Sequence, residues 1–172
     1  MTWTNANAWA DGLTLGGYTE WRLPTTTDTG TSGCNYSTTG GTDCGYNVST
    51  ASSEMAHMFY TTLGNLAYYS TSGVSNQPGW GLSNTGPFSN VQSGYYWSAT
   101  EYAWDTNNAW GFSIGNGYQF SITKTYNYYA WAVHDGDVGA AITSAVPVPA
   151  AAWLFSSGLL GLVGMAKRKS MA

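Results

Sequence analysis

How little charge this chain has to place, and where it sits, constrains the fold more than any other feature. Residues 1–149 hold all nine acidic residues but only two basic ones, Arg22 and Lys124, which leaves that stretch at about −7. The remaining basic residues, Lys167, Arg168 and Lys169, crowd into the last six positions. Charged residues make up 8% of the sequence, against roughly 25% in a typical soluble protein. Low charge here does not mean disorder, because 43% of residues are hydrophobic and 16% aromatic, enough to build a core. A length of 172 residues suits one ordinary domain. An acidic body repels phosphate backbones, so nucleic acid is excluded as a partner, and the composition fits neither collagen nor a coiled coil. What remains is Gly, Ser, Thr, Asn, Tyr and Trp, a surface that is polar without being charged and suits exported proteins and neutral ligands such as glycans.

The end of the chain differs from everything before it. Residues 146–166 carry no charge and are followed directly by Lys167, Arg168 and Lys169. After Pro149 about 17 residues can be helical, the lower limit for crossing a hydrocarbon core. The basic cluster predicts a cytoplasmic C-terminus. A hydrophobic core helix is the alternative, but Gly158, Gly161 and Gly164 suit a membrane helix better than a soluble one. The order Val146-Pro147-Val148-Pro149, apolar run, basic cluster resembles the PEP-CTERM sorting signal of Gram-negative bacteria, with Val-Pro in place of Pro-Glu-Pro. That resemblance implies export, an exosortase-type sorting enzyme as partner, transient anchorage in the inner membrane through the C-terminal helix, and cleavage near the Pro motif. It also implies release or attachment at the cell surface or extracellular matrix. The opening MTWTNANAWADGL has neither the basic region nor the apolar run expected of a signal peptide.

Cys34 and Cys44 lie in a Gly/Ser/Thr-rich stretch. In an exported chain they most simply form one disulfide, contributing about 3 kcal/mol on chain-entropy grounds; a free or reactive thiol pair is the alternative. A metal site needs more ligands than this segment offers.

In the body, Thr2 or Thr4 can cap a helix carrying Trp3, Ala6, Ala10 and Leu13 on one face, stopped at Gly16-Gly17. A second helix begins near Ser52 or Ser53, with Glu54 in its first turn and Met55, Met58, Phe59, Leu63 and Leu66 on one side. His57 falls off that stripe. Residues 74–92 predict a long ordered loop held by Trp80, Leu82 and Phe88. Strand patterns follow at 95–100, 109–114, 118–123 and 128–134, with Gly115-Asn116-Gly117 as a hairpin turn. Two helices, a long loop and a small antiparallel sheet predict an α+β domain.

Trp3 with Ala6, Trp21-Arg22-Leu23-Pro24-Thr25, Tyr96-Trp97-Ser98, Ala109-Trp110, Gly117 and Tyr129-Ala130-Trp131-Ala132-Val133 resemble the DUF1566 family, or Lcl C-terminal domain, over residues 1–138. A linker at 139–145 and the sorting signal at 146–172 follow. The resemblance implies a C-type lectin-like fold and adhesive, glycan-binding roles at bacterial surfaces. The chain departs from the family by inserting the Cys34–Cys44 segment before Glu54, and by carrying Trp131 and His134 where paired arginines are usual. Those departures weaken any case for binding sulfated polysaccharides.

Arg22 in its Trp-Arg-Leu-Pro setting reads as structural, stacking on an aromatic and pairing with a buried carboxylate. Trp97, Trp110, Phe112, Phe120 and Trp131 read as core. Ligand contacts are expected from Trp104, Asp105, Asn107 and Asn108 in one loop, and from Asn116, Tyr118, Gln119, Tyr126, Asn127 and Tyr128 in a second group. Tyr, Asn and Trp combine contact area with hydrogen bonding at low entropy cost; an ordinary exposed Tyr-rich sheet is the alternative. No cofactor is expected. Calcium is the one candidate, through Glu101, Asp105, Asn107 and Asn108, but their spacing matches no calcium signature and about six to eight oxygens are needed. No nucleophile elbow or zinc spacing appears, so an enzyme is not expected. The sequence thus predicts a surface-displayed module binding a glycan or a surface protein. The alternatives are a passive matrix component, or a ligand-binding target diversified by a retroelement through the Asn/Tyr/Ser-rich segment 107–129.

Overall fold

The structure, a computed structural model, describes residues 1–29, 37–40 and 43–136, all within a compact unit spanning Met1–Asp137. The expected linker, sorting signal and C-terminal helix lie outside the described residues, as does Cys34. Among the described residues, no helix is long and apolar enough to cross a membrane.

The architecture is α+β. Helix α1 (Trp3–Asp11) is followed by strand β1 (Gly45–Tyr46), then by α2 (Glu54–Ala56), which continues as a π-helical segment, His57–Thr62. Strands β2 (Tyr95–Glu101), β3 (Asn108–Ser113) and β4 (Tyr118–Thr123) complete an antiparallel sheet in the order β1-β4-β3-β2. The β3–β4 turn falls where the Gly-Asn-Gly run predicts it, closed by the Gly117 amide donating to the Ser113 carbonyl at 2.8 Å.

Helix α1 buries Ala6 and Ala10 completely, and these small side chains let it pack against Leu23, Trp97 and Ala109. It stops at Gly12, four residues before the expected glycine pair, where the Gly12 amide bonds to the Ala8 carbonyl. Thr2 is the N-cap, but its side chain makes no capping bond.

The second helix is capped by Ser53, whose hydroxyl accepts from the Ala56 amide. It then widens, with the Leu63 amide reaching the Met58 carbonyl five residues back at 2.9 Å. Met55, Phe59 and Leu63 stay buried, their four-residue spacing fitting the wider turn. Gly64 then adopts φ +66° and ends the helix, so Leu66 lies beyond the stripe and is exposed. His57 is exposed, as its position off that stripe predicts.

Two expectations are corrected. The 128–134 run, the fourth of the expected strands, is not one, because it divides its pairing between partners, and the sheet's fourth strand is instead Gly45–Tyr46, which the pattern did not signal. Tyr129 bonds along β2 to Tyr95 and Trp97, whereas Val133 exchanges both backbone bonds with Arg22. The long loop is held by amides as well as by apolar side chains: Leu82 packs against the core and Phe88 against Trp131, whereas Trp80 is exposed. Buried Asn65 accepts at Oδ1 from the Ser83 amide, the Ser83 hydroxyl and the Asn84 amide, and donates to the Asn84 carbonyl at 2.9 Å. Gln77 bonds the Ala67 and Tyr69 carbonyls, and Asn47 those of Thr38 and Tyr69. In a chain poor in charge, neutral amides tie the loop and the segments beside it together through backbone groups.

Candidate functional site

Strand register sorts the aromatic side chains. Phe112 lies opposite Gln119, and Gly111 opposite Phe120, so the alternating sets Trp110–Phe112–Ile114 and Tyr118–Phe120–Ile122 point to opposite sides of the sheet. The first side is sealed by Met55 and Phe59 of the second helix, packed with Tyr96, Phe112 and Ile114. The other side is covered by α1 near Trp97 and Ala109. Farther from α1, that side carries a chain of ring contacts.

Tyr46 of β1 meets Tyr118 of β4 at 4.8 Å between centroids, and Tyr118 lies nearly parallel to Phe120 at 6.2 Å. Phe120 reaches across β3 to Tyr95 of β2, edge to face at 5.3 Å. It can do so because residue 111 is glycine: a Cβ there would stand 3.0 Å from the Phe120 ring. Tyr95 then meets Tyr128 at 5.2 Å, and Tyr128 meets Tyr126 at 6.2 Å. At the opposite end, Tyr46 contacts Tyr69 and Tyr68, and Tyr68 contacts Trp80 at 4.9 Å. Tyr95 is 47% exposed and Tyr126 54%, so much of this aromatic band faces solvent. At its β2 end a cleft of about 410 Å³ is lined by Gly94, Tyr95, Asn127, Tyr128 and Tyr129.

The predicted ligand residues separate accordingly. Tyr118, Tyr126 and Tyr128 join the band, and Asn127 lines its cleft. Gln119 does not belong with them, because it is only 2% exposed and points to the sealed side. It accepts from Ser53 Oγ at 2.6 Å and donates to Thr26 Oγ1 and the Asp43 carbonyl, which locks the second helix's cap to the sheet. Asn116 sits in the β3–β4 turn, its carbonyl taking the Tyr68 amide and its Oδ1 buried without a partner.

The 104–108 loop is built from its own bonds. Asp105 accepts from the Asn107 amide and from the side chains of Asn107 and Asn108, while Trp104 stands exposed. Glu101 pairs with Lys124, which sits 4.3 Å over the Trp3 ring. Thus the carboxylates weighed as calcium ligands are engaged by other side chains. Of the residues read as core, Trp97, Trp110, Phe112 and Phe120 are buried, but Trp131 is half-buried and lines a cleft. Tyr46, Tyr68, Tyr69, Tyr95 and Tyr129 were not signalled by the sequence as site residues. Strand register places Tyr95 opposite Ser113, which is in turn opposite Tyr118, and that register is not written in either segment alone.

Arg22 has a structural role, as its setting predicts. Its guanidinium forks onto Glu54 at 2.6 and 2.9 Å and bonds Asp135 at 2.5 Å. Glu54 also accepts from the Thr25 amide and hydroxyl, and the Arg22 bond, the largest influence, brings its pKa down to about 2. Glu54 is half-buried rather than buried, and the cation resting on an aromatic ring is Lys124 rather than Arg22. The rest of the motif is equally committed: Trp21 bonds the Tyr18 carbonyl, Leu23 is buried, and the Pro24 carbonyl takes the Ala99 amide. Both histidines, His57 and His134, line a cleft of about 520 Å³ beside Glu54. His134 Nδ1 is buried without a partner, and its ring lies edge-on to Tyr18 and Trp21. Cys44 is buried and disulfide-bonded.

No family model matches the chain, and no curated protein or solved structure matches it either.

Proposed function

We propose that this protein is an exported, non-enzymatic binding module that holds neutral glycans of the bacterial surface or biofilm matrix on its aromatic band. The observation that carries this reading is the run Tyr118–Phe120–Tyr95–Tyr128–Tyr126 beside the Asn127 cleft, in which a buried Phe120 backs the exposed Tyr95 and Tyr126 and the half-buried Tyr118 and Tyr128. Tyrosine rings offer flat apolar area edged by hydroxyls, and asparagine adds both donors and acceptors. That is the chemistry a sugar ring needs, and in a body of net charge about −7 it favours an uncharged ligand. A C-type lectin-like fold of the DUF1566 kind belongs to the same proposal. So does sorting by an exosortase through the C-terminal helix, which supplies the surface location. Glu54, saturated by Arg22 and Thr25, is poorly placed to act as a general acid, which supports binding rather than catalysis.

The test is a glycan-array screen of the full chain with and without calcium, repeated with Tyr95→Ala plus Tyr126→Ala. Saturable binding that the double variant loses while keeping its far-UV spectrum is the expected result. Binding that survives in the variant, or no binding by the folded parent, overturns it and favours a protein ligand or a passive matrix role.

A further inference from the structure

A second cleft, of about 460 Å³, is lined by Trp9, Trp21, Phe88, Asn90 and Trp131 without one charged side chain. It opens on the other side of β2 from the aromatic band, since Tyr96 lines it and Tyr95 lines the band's cleft. Its size falls in the range of small-molecule sites, which are largely apolar with a few placed polar groups.

The tryptophans reveal what those polar groups are. Trp3, Trp21, Trp80, Trp97 and Trp110 each donate the indole N–H to a protein oxygen. Among the described residues, Trp9, Trp104 and Trp131 donate to none, and Trp9 and Trp131 share this cleft. Trp9 is 39% exposed and Trp131 half-buried, so neither N–H is a buried orphan and both are open to a ligand that displaces water. Trp131 is held in place by Phe88 at 4.9 Å and Tyr96 at 5.9 Å. Two of the rings that line the cleft therefore carry N–H donors that no protein group takes up, and Asn90 lines the same cleft.

We infer that this cleft is a second ligand site, taking one neutral pyranose residue whose apolar ring face lies on the indoles and whose oxygens accept from Trp9 and Trp131. An ion gains nothing from an uncharged lining and would lose its hydration there. A purely apolar ring would leave both donors without an acceptor once water is displaced. A ring with one apolar face and several oxygen acceptors meets both demands. The inference stands independently of the aromatic band, and its test separates the two.

The experiment is saturation-transfer NMR on the full chain with methyl glycosides of neutral hexoses and N-acetylhexosamines, with cyclohexanol as the apolar probe. Binding of the glycosides that weakens about tenfold in Trp9→Phe plus Trp131→Phe, where a smaller aromatic face is kept and two donors are lost, while cyclohexanol binding falls much less, supports the site. The Tyr95→Ala plus Tyr126→Ala variant, which strikes only the band, is expected to leave that donor-dependent component intact. Three results overturn the inference: no transfer to any glycoside, equal affinity in the Phe variant, or cyclohexanol binding as tightly as the glycosides. A signal that follows protein concentration instead of glycoside concentration also overturns it, because a second copy of the chain then fills the cleft.

Discussion

The two sides of the sheet carry similar aromatic alternation and end in opposite states. On the side of Tyr96, Phe112 and Gln119, the second helix closes over the rings, and each buried polar atom of Gln119 has a partner. On the side of Tyr118, Phe120 and Tyr95, helix α1 covers only the Trp97 end, and the rings beyond it pack on one another, burying Phe120 and leaving Tyr95 exposed. Hydrophobic patterning sets which residues share a side, but the covering element decides whether that side becomes core or solvent-facing surface.

Substitutions that strike the sealed side should cost most. Gly117 has φ +74°, and a Cβ there would stand 2.7 Å from the Tyr60 hydroxyl and 3.1 Å from the Ala67 backbone. That hydroxyl donates to the Gly117 carbonyl at 2.6 Å and accepts from the Asn47 amide at 3.0 Å. Strain and crowding together predict a loss of about 3 kcal/mol or more for Gly117→Ala, read from the denaturant midpoint. An unchanged midpoint would break the claim that this turn is packed to its limit.

Gln119→Leu keeps the volume but leaves Ser53 Oγ, Thr26 Oγ1 and the Asp43 carbonyl short of a partner, so it is expected to cost about 2 kcal/mol. Full stability in that variant, accompanied by lost glycan binding, would return Gln119 to the ligand surface.

Acid titration tests the bridge between the Trp-Arg-Leu-Pro segment and the second helix. Glu54 has its pKa lowered from 4.5 to about 2 in the folded protein, chiefly by Arg22. A depressed carboxylate gives stability that is present above its unfolded pKa and lost as pH falls, here between about 4.5 and 2. Because both partners remain partly exposed, the loss should reach only about 1 kcal/mol. Glu54→Gln should flatten that part of the profile; an acid limb of equal depth in the variant would assign it to other carboxylates.

The smallest stability effect is expected on the open side. Tyr126→Ala should shift the midpoint by less than about 0.5 kcal/mol, since half of that side chain is in water. A loss of 2 kcal/mol would make the band a structural element and remove the contrast with the sealed side.

Much of the framework was legible in the sequence because local rules govern it. The Ser53 cap, the exposure of His57, the strand runs from Tyr95 to Thr123 and the Gly-Asn-Gly turn depend on neighbours a few residues apart. The structural role of Arg22 followed from its being nearly the only cation in an acidic body. The early stop of α1, the π-helical widening and the split pairing of 128–134 depend on what the rest of the molecule offers, and periodicity alone does not contain that.

The sequence by itself determined that this is an α+β domain with little charge and many aromatic rings. Tertiary structure decided which rings became surface. A register that places Gly111 opposite Phe120 lets one aromatic band cross three strands, and the same register turns Gln119 from a candidate ligand contact into a buried clamp. The physical reason is that side-chain direction in a strand has period two. Which direction is inward depends on the layer packed against it, and in this chain helix α1 and the second helix supply that layer from distant parts of the sequence.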